Sequence, residues 1–283
     1  MLIESRNNPK YKAWLKLRTA RGRKKEGAFI IESHKLLADA ILSGIKIGAI
    51  LVDEEAGELC MDRLLLNIEE RRKSADFKDL DKIAIKEPYI LTSKLFRELS
   101  EMESPDGIMA VCQGGLEKNF KGQAEAGRVL ILDRIRDPGN LGTLLRSAEA
   151  FNFKTVICLD SCDIGNYKTL RASMGSAFRL DIYKTGYNDG LEKLEKWKEE
   201  SACQWYGGDM EGLDFRKIQA CDKMALVIGN EGGGLSDWFI RRLDRTIKIP
   251  MQGRGESLNA AVSGSILMAR LALTEDYNSE INF

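Results

Sequence analysis

Three short segments of the 283-residue sequence place polar and charged side chains among glycines just beyond an apolar run. The first is RDPGNLGTLLRSAEAF, residues 136 to 151. Asp137, Pro138 and Gly139 form turns readily, and Asn140 is a good acceptor for the free backbone N–H groups of a helix start. Leu141, Leu144, Leu145, Ala148 and Phe151 recur at helical spacing as an apolar face. Arg146 falls on another stripe, beside Gly142 and Ala150, where lack of bulk lets something come close. A phosphate or other polar ligand beside Arg146 is one reading; a solvated surface arginine is the other. The second segment, GNEGGGLSD (229–237), holds four glycines and one charge, Glu231, before Asp237. Gly229 and its neighbours permit close backbone approach. The third, IPMQGRGESLN (249–259), ends with Ser257 and Asn259 placed to cap the last helix.

The chemistry open to these segments is narrowed by what the chain lacks. There is no G-x-x-x-x-G-K-[ST] phosphate loop, and no G-x-G-x-x-G opens a helix after the first strand. His34 is the sole histidine, which excludes metal sites built on several imidazoles. The six cysteines form no C-x-x-C and pair with no histidine at zinc spacing, so no metal is expected. With no apolar leader and no run long enough to span a bilayer, a cytoplasmic protein with reduced thiols and no membrane partner is expected.

Formal net charge is zero, yet nine basic residues and no acidic one lie between Ser5 and Lys25. They are Arg6, Lys10, Lys12, Lys16, Arg18, Arg21, Arg23, Lys24 and Lys25, with Tyr11 and Trp14 among them. Such a segment suits phosphate contacts and base stacking. It equally suits an amphipathic helix that packs Trp14, Leu15 and Leu17 on the domain. The two are compatible if one face packs and the other meets RNA.

The elements that must position these residues alternate along the chain. AFIIE (28–32), IGAILVD (47–53), IAIKEPYIL (83–91) and GIMAVCQ (107–113) read as strands, with helices over 33–44, 59–73 and 92–100 and a charged stretch to Lys82. The polar stretch 116–127 reads as a linker. Beyond it RVLILDRI, KTVICLD, FRLDIYK, CQWYGGD, MALVIG and RTIKIPM are strands separated by helices, including one over TLRASMGSAF (169–178). Strands apolar almost throughout predict a mostly parallel sheet covered on both faces. Ligands gather at the carboxyl ends of such strands, where all three segments fall. The organisation is therefore two α/β domains, 1–115 and 128–283, joined by 116–127.

The order Asn140-Leu-Gly-Thr-Leu-Leu-Arg146, Gly229-Asn-Glu-Gly-Gly-Gly-Leu-Ser236 and Ile249-Pro-Met-Gln-Gly253 running to Ser257-Leu-Asn259 resembles the SpoU (TrmH-like) branch of the SPOUT RNA methyltransferases. The resemblance covers roughly residues 128 to 275. The first half resembles the substrate-binding domain often fused ahead of these enzymes, an α/β fold similar to kink-turn-binding ribosomal proteins. It departs from the family in having Glu32-Ser33 where Glu-Gly is common, and in a longer segment over 56–82. The resemblance implies a trefoil-knotted C-terminal domain, a homodimer, S-adenosylmethionine as cofactor, and methylation of an RNA ribose 2′-hydroxyl, with rRNA ahead of tRNA. It also implies cofactor contacts at Gly229, Ile249 and Leu258, and a catalytic Arg146 with Asn140, Glu231, Ser257 and Asn259 shaping the site. RNA contacts fall on Lys10, Lys12, Lys16, Arg18, Arg21, Arg23 and Lys24, and on Lys168 and Arg171, for which plain surface charge is an equal alternative. Arg146 is either the general base or a cation that binds a phosphate and stabilises the developing alkoxide. A guanidinium pKa of about 12.5 or more makes the base costly. The competing readings are a tRNA ribose methyltransferase, a base-nitrogen methyltransferase, and a non-catalytic RNA-binding assembly factor.

Overall fold

The computed structural model describes residues 1–57, 59–74, 87–219, 221–253 and 257–273. The chain divides into two compact units, Met1–Leu116 with Gly165–Phe178, and Glu117–Ile164 with the residues from Arg179 onward.

The first unit runs β1 (Leu2–Ile3), α1 (Pro9–Lys16), α2 (Ala20–Glu26), β2 (Ala28–Glu32), α3 (His34–Leu42), β3 (Ile47–Asp53), α4 (Leu59–Ser74), β4 (Tyr89–Leu91), α5 (Ser93–Leu99) and β5 (Ile108–Gln113). Its sheet is mixed, in the order β1-β4-β3-β5-β2. The basic segment is two short helices rather than one. The chain turns over Leu17 to Thr19, and the Thr19 hydroxyl caps α2 by accepting from the Gly22 N–H. Tyr11 and Trp14 point into the core with Leu51, Leu91 and Phe96, which removes both rings from base stacking. Of the strand expected over 83–91, Tyr89–Leu91 forms β4; residues 83–86, like the end of the long segment 56–82, lie outside the described residues.

The second unit runs β6 (Glu117–Asn119), β7 (Arg128–Asp133), α6 (Pro138–Ala150) and β8 (Thr155–Leu159). After α7 (Tyr167–Ser173), which groups with the first unit, come β9 (Asp181–Thr185), α8 (Tyr187–Ser201), β10 (Gln204–Asp214), β11 (Met224–Ile228), α9 (Asp237–Ile240), β12 (Arg245–Lys248) and α10 (Ala260–Ala272). The seven strands lie in the order β12-β10-β11-β7-β8-β9-β6, and each neighbouring pair is parallel. β8 and β11 are buried at every residue, as strands covered on both faces must be. Trp197, Trp205 and Phe239 fill the core with Val129 and Ile131.

Two local expectations change. The stretch 116–127 is not a free linker: β6 pairs with β9 at the sheet edge, and Phe120 beyond it is buried. A three-residue polar edge strand has no periodicity to announce it. The helix expected over 169–178 breaks at Met174, which takes a left-handed conformation as the C-cap of α7.

Candidate active site

The carboxyl ends of β10, β11 and β12 open on a cleft of about 630 Å³. Gly229, Glu231, Ile249, Ser257 and Leu258 line it, over a floor of Ile247 and Leu267. Gly229 has no alternative residue: a Cβ there would sit 2.2 Å from the Gly234 carbonyl carbon. The glycine loop closes on itself through paired backbone hydrogen bonds between Asn230 and Gly234.

The three segments meet in one hydrogen-bonded chain. The structure starts α6 two residues earlier than expected, with Asp137 as its N-cap accepting from the Asn140 N–H at 2.7 Å. Asn140 is therefore not the cap, and its amide is released for longer-range work. Its Nδ2 donates to Glu231 Oε1 at 3.0 Å, and its Oδ1 accepts from Asn259 Nδ2 at 2.9 Å. Glu231 also accepts from the backbone N–H groups of Arg136 (3.2 Å) and Asp137 (3.1 Å). Asn259 caps α10 as expected, accepting from the Ala261 and Val262 N–H groups. Burial alone would push the Glu231 carboxyl up, but the Asn140 amide and the backbone donors outweigh it and hold the group below the usual carboxylate range. α6 and α10 are tied further along by a 2.7 Å hydroxyl pair, Ser147 with Ser265.

A second lock was not anticipated. Asp133, fully buried at the end of β7, pairs with the Arg134 guanidinium at 2.8 Å and accepts from the Ser236 N–H at 2.9 Å. Asn230 Nδ2 donates to the Arg134 carbonyl at 2.8 Å. Both ends of the glycine loop are thus pinned to the residues around the end of β7. The only sequence signal was an acid closing an otherwise apolar strand. Burial, with Glu231, Asp137 and Asp163 adding repulsion, pushes the Cys162 thiol up to about 11.

Arg146 does not line the cleft. It is exposed on α6, six residues or about 9 Å along the axis from Asn140, and has no hydrogen bond or ion pair with a described residue. In the first unit Lys12, Arg21 and Lys24 are exposed and unpaired among the described residues. Lys10 donates to the Tyr89 hydroxyl, Lys16 pairs with Glu26, and Arg18 donates to the Glu98 carbonyl. Arg23 is buried and donates to the Leu17 carbonyl at 2.8 Å, so this cation is spent on closing the α1–α2 turn. Lys168 and Arg171 are exposed on α7, within the grouping of the first unit. Among the described residues no cluster could hold a metal ion.

A parallel α/β unit with a glycine-walled cleft at its strand ends, following a small mixed-sheet unit along the chain, defines a two-unit α/β protein with a ligand-sized cleft. The SpoU rRNA methylase family model matches residues 127–269, and a model of an MRM3-like substrate-binding domain matches 8–110. The chain is 32% identical over 271 residues to the 23S rRNA (guanosine(2553)-2′-O)-methyltransferase RlmP of Bacillus subtilis, covering 95% of this chain and 98% of that one. Among solved structures, the AdoMet-bound rRNA methyltransferase of Sinorhizobium meliloti superposes with a TM-score of 0.76 at 23% identity, over 96% of this chain and 97% of that one. The SpoU methyltransferase AviRb of Streptomyces viridochromogenes, in complex with AdoMet, superposes equally well over 94% and 97%. The chain belongs to the SpoU rRNA methylase family.

Proposed function

We propose that this protein transfers a methyl group from S-adenosylmethionine to a ribose 2′-hydroxyl of 23S rRNA, working in the cytoplasm as a homodimer. The observation that carries the reading is the Glu231–Asn140–Asn259 chain, which joins all three segments at the rim of the cleft. A non-catalytic RNA binder has no need of that junction.

The residues present fit the cofactor. The cleft is of a size to enclose a nucleoside, its floor is apolar, and the wall at Gly229 is backbone that no side chain covers. Gly229, Ile249 and Leu258 would hold the nucleoside, chiefly through backbone groups. S-adenosylmethionine supplies a methyl already activated on a sulfonium sulfur. The protein's task is then to align the ribose oxygen and stabilise its developing negative charge. Arg146 is assigned the second role: its exposed guanidinium binds the flanking phosphate and stabilises the developing negative charge, while the hydroxyl's proton passes to solvent water. Glu231, held anionic, fixes the backbone ahead of α6 and so the helix that carries Arg146.

The homodimer is supported by the outer face of α10, where Val262, Ile266, Ala269 and Leu273 form a stripe at helical spacing, Val262 46% and Leu273 54% exposed. It supplies the apolar face that a second copy would cover. RNA is assigned to Lys12, Arg21 and Lys24, with Lys10, Lys16, Arg18, Lys168 and Arg171 as further phosphate contacts. The 23S target is supported by the activity of the Bacillus relative. Six unpaired cysteines suit a reducing compartment.

Incubating the purified protein with labelled S-adenosylmethionine and either 23S rRNA or bulk tRNA, then digesting to nucleosides, tests this. One 2′-O-methylnucleoside from 23S rRNA is expected. Label in a methylated base, or in tRNA alone, would contradict it.

A further inference from the structure

The cleft has a further wall that none of the three segments supplies. β10 pairs with β12 in two stretches, and Gly208 and Leu213 both face Ile247. The residues between them, Asp209 to Gly212, bulge out of the strand. Gly212 is pressed onto β12 so closely that a Cβ would lie 2.6 Å from the Thr246 carbonyl carbon. Gly208, Asp209 and Met210 line the cleft beside the glycine loop. Bulges of this kind re-aim a side chain beside a site.

Among the described residues two acids line the cleft, Asp209 and Glu231. Glu231 is engaged by Asn140 and two backbone N–H groups. Asp209 is half-buried, and its Oδ1 accepts from the Glu211 N–H at 2.7 Å, which fixes the side chain. Its Oδ2 has no partner among the described residues. A fixed carboxylate with a free oxygen on a cleft wall is an acceptor without a donor.

The sheet order says which part of a ligand it meets. Glu231 leans from β11 towards β7, where it binds Arg136, Asp137 and Asn140, so the reacting end lies on that side. β10 lies on the far side of β11, two strand spacings or about 10 Å from β7. We propose that Asp209 accepts hydrogen bonds from the vicinal hydroxyls of the cofactor's ribose, and so determines cofactor affinity from outside the three sequence motifs. The inference rests on the cofactor assignment above. Vicinal hydroxyls present two donors, and a carboxylate is the acceptor that matches them.

The test is calorimetric binding of S-adenosylhomocysteine and of its 2′,3′-dideoxyribose analogue to the full chain and to Asp209→Asn. The asparagine carbonyl can still accept from the Glu211 N–H, so the bulge keeps its turn. Asp209→Ser, which can cap in the same way, serves if the first variant melts early. The wild type should bind the analogue about tenfold more weakly, and the variant should bind S-adenosylhomocysteine about tenfold more weakly while losing most of its discrimination between the two. An unchanged discrimination in both variants would overturn the role of Asp209 and leave the cofactor assignment standing. Failure of the wild type to bind either compound would overturn both.

Discussion

The two polar regions of this molecule are built in opposite ways. At the strand ends of the second unit, Glu231, Asn140 and Asn259 bind one another and Asp133 pairs with Arg134, so the polar side chains that join the three segments are held by one another. On α1 and α2 of the first unit, Lys12, Arg21 and Lys24 stand in solvent with no partner among the described residues. One region is organised before any ligand arrives, as electrostatic catalysis requires. The other leaves its charges untethered, as binding to a phosphate backbone of variable shape allows. Arg146 is carried by the helix that the first region anchors, yet it is as untethered as the cations of the second, and the proposed role in joining substrate to site rests on that combination.

If that division is right, removing Arg146 should be the most damaging single change. Arg146→Ala should lower kcat by about a hundredfold or more, while calorimetric cofactor affinity and melting temperature stay near wild type. Arg146→Lys keeps the charge but not the planar fork, and should retain part of the activity. Next in size is the lock itself. Asp133→Ala strips Arg134 of its buried partner and the Ser236 N–H of its acceptor, and should cost about 2–3 kcal/mol in denaturant unfolding.

The carboxylate of Glu231 gives its junction with Asn140 a pH dependence. Its folded-state pKa lies below the ordinary value, so the stabilisation is present above the unfolded pKa and is lost as pH falls through the folded one. Cofactor affinity followed by fluorescence should therefore decline on the acid side of the usual carboxylate range. Glu231→Gln should show the low affinity at neutral pH and a flatter profile.

How much of this was legible beforehand differs between the regions for a physical reason. The three segments could be read from sequence because glycines, caps and strand ends are local features. Their junction could not, since Asn140 and Glu231 are 91 residues apart and Asn140 and Asn259 are 119 apart. The cap itself was misplaced: Asp137 and Asn140 both cap well, and only the fold shows which amide is kept for Glu231. In the basic segment, charge counting could not separate Lys24 from Arg23, one solvated and the other buried against the Leu17 carbonyl. Trp14 was legible as core or as a stacking platform and Tyr11 only as the latter, and packing decided for the core in both. The β10 bulge left no trace in the sequence beyond its glycines.

A smaller effect would sharpen the contrast. Reversing Lys12, Arg21 and Lys24 to Glu should weaken RNA binding and lower the salt slope by about 0.7–0.9 for each phosphate no longer neutralised, with cofactor affinity unchanged. Arg23→Ala should instead lower stability by about 1–2 kcal/mol, because its role is a buried hydrogen bond. Smallest of all is Ser33, the N-cap of α3, which holds φ at 94°, a conformation that favours glycine. Ser33→Gly relieves that strain and gives up only a modest cap, and should raise stability by about 1 kcal/mol in the same unfolding assay.

The most direct test is a map of ribose methylation across total RNA from cells with and without the gene, complemented by wild type and by Arg146→Ala. The account predicts one 2′-O-methyl mark in 23S rRNA that disappears with the gene, returns with wild type and does not return with Arg146→Ala. An unchanged map, or a mark restored in full by Arg146→Ala, would contradict it.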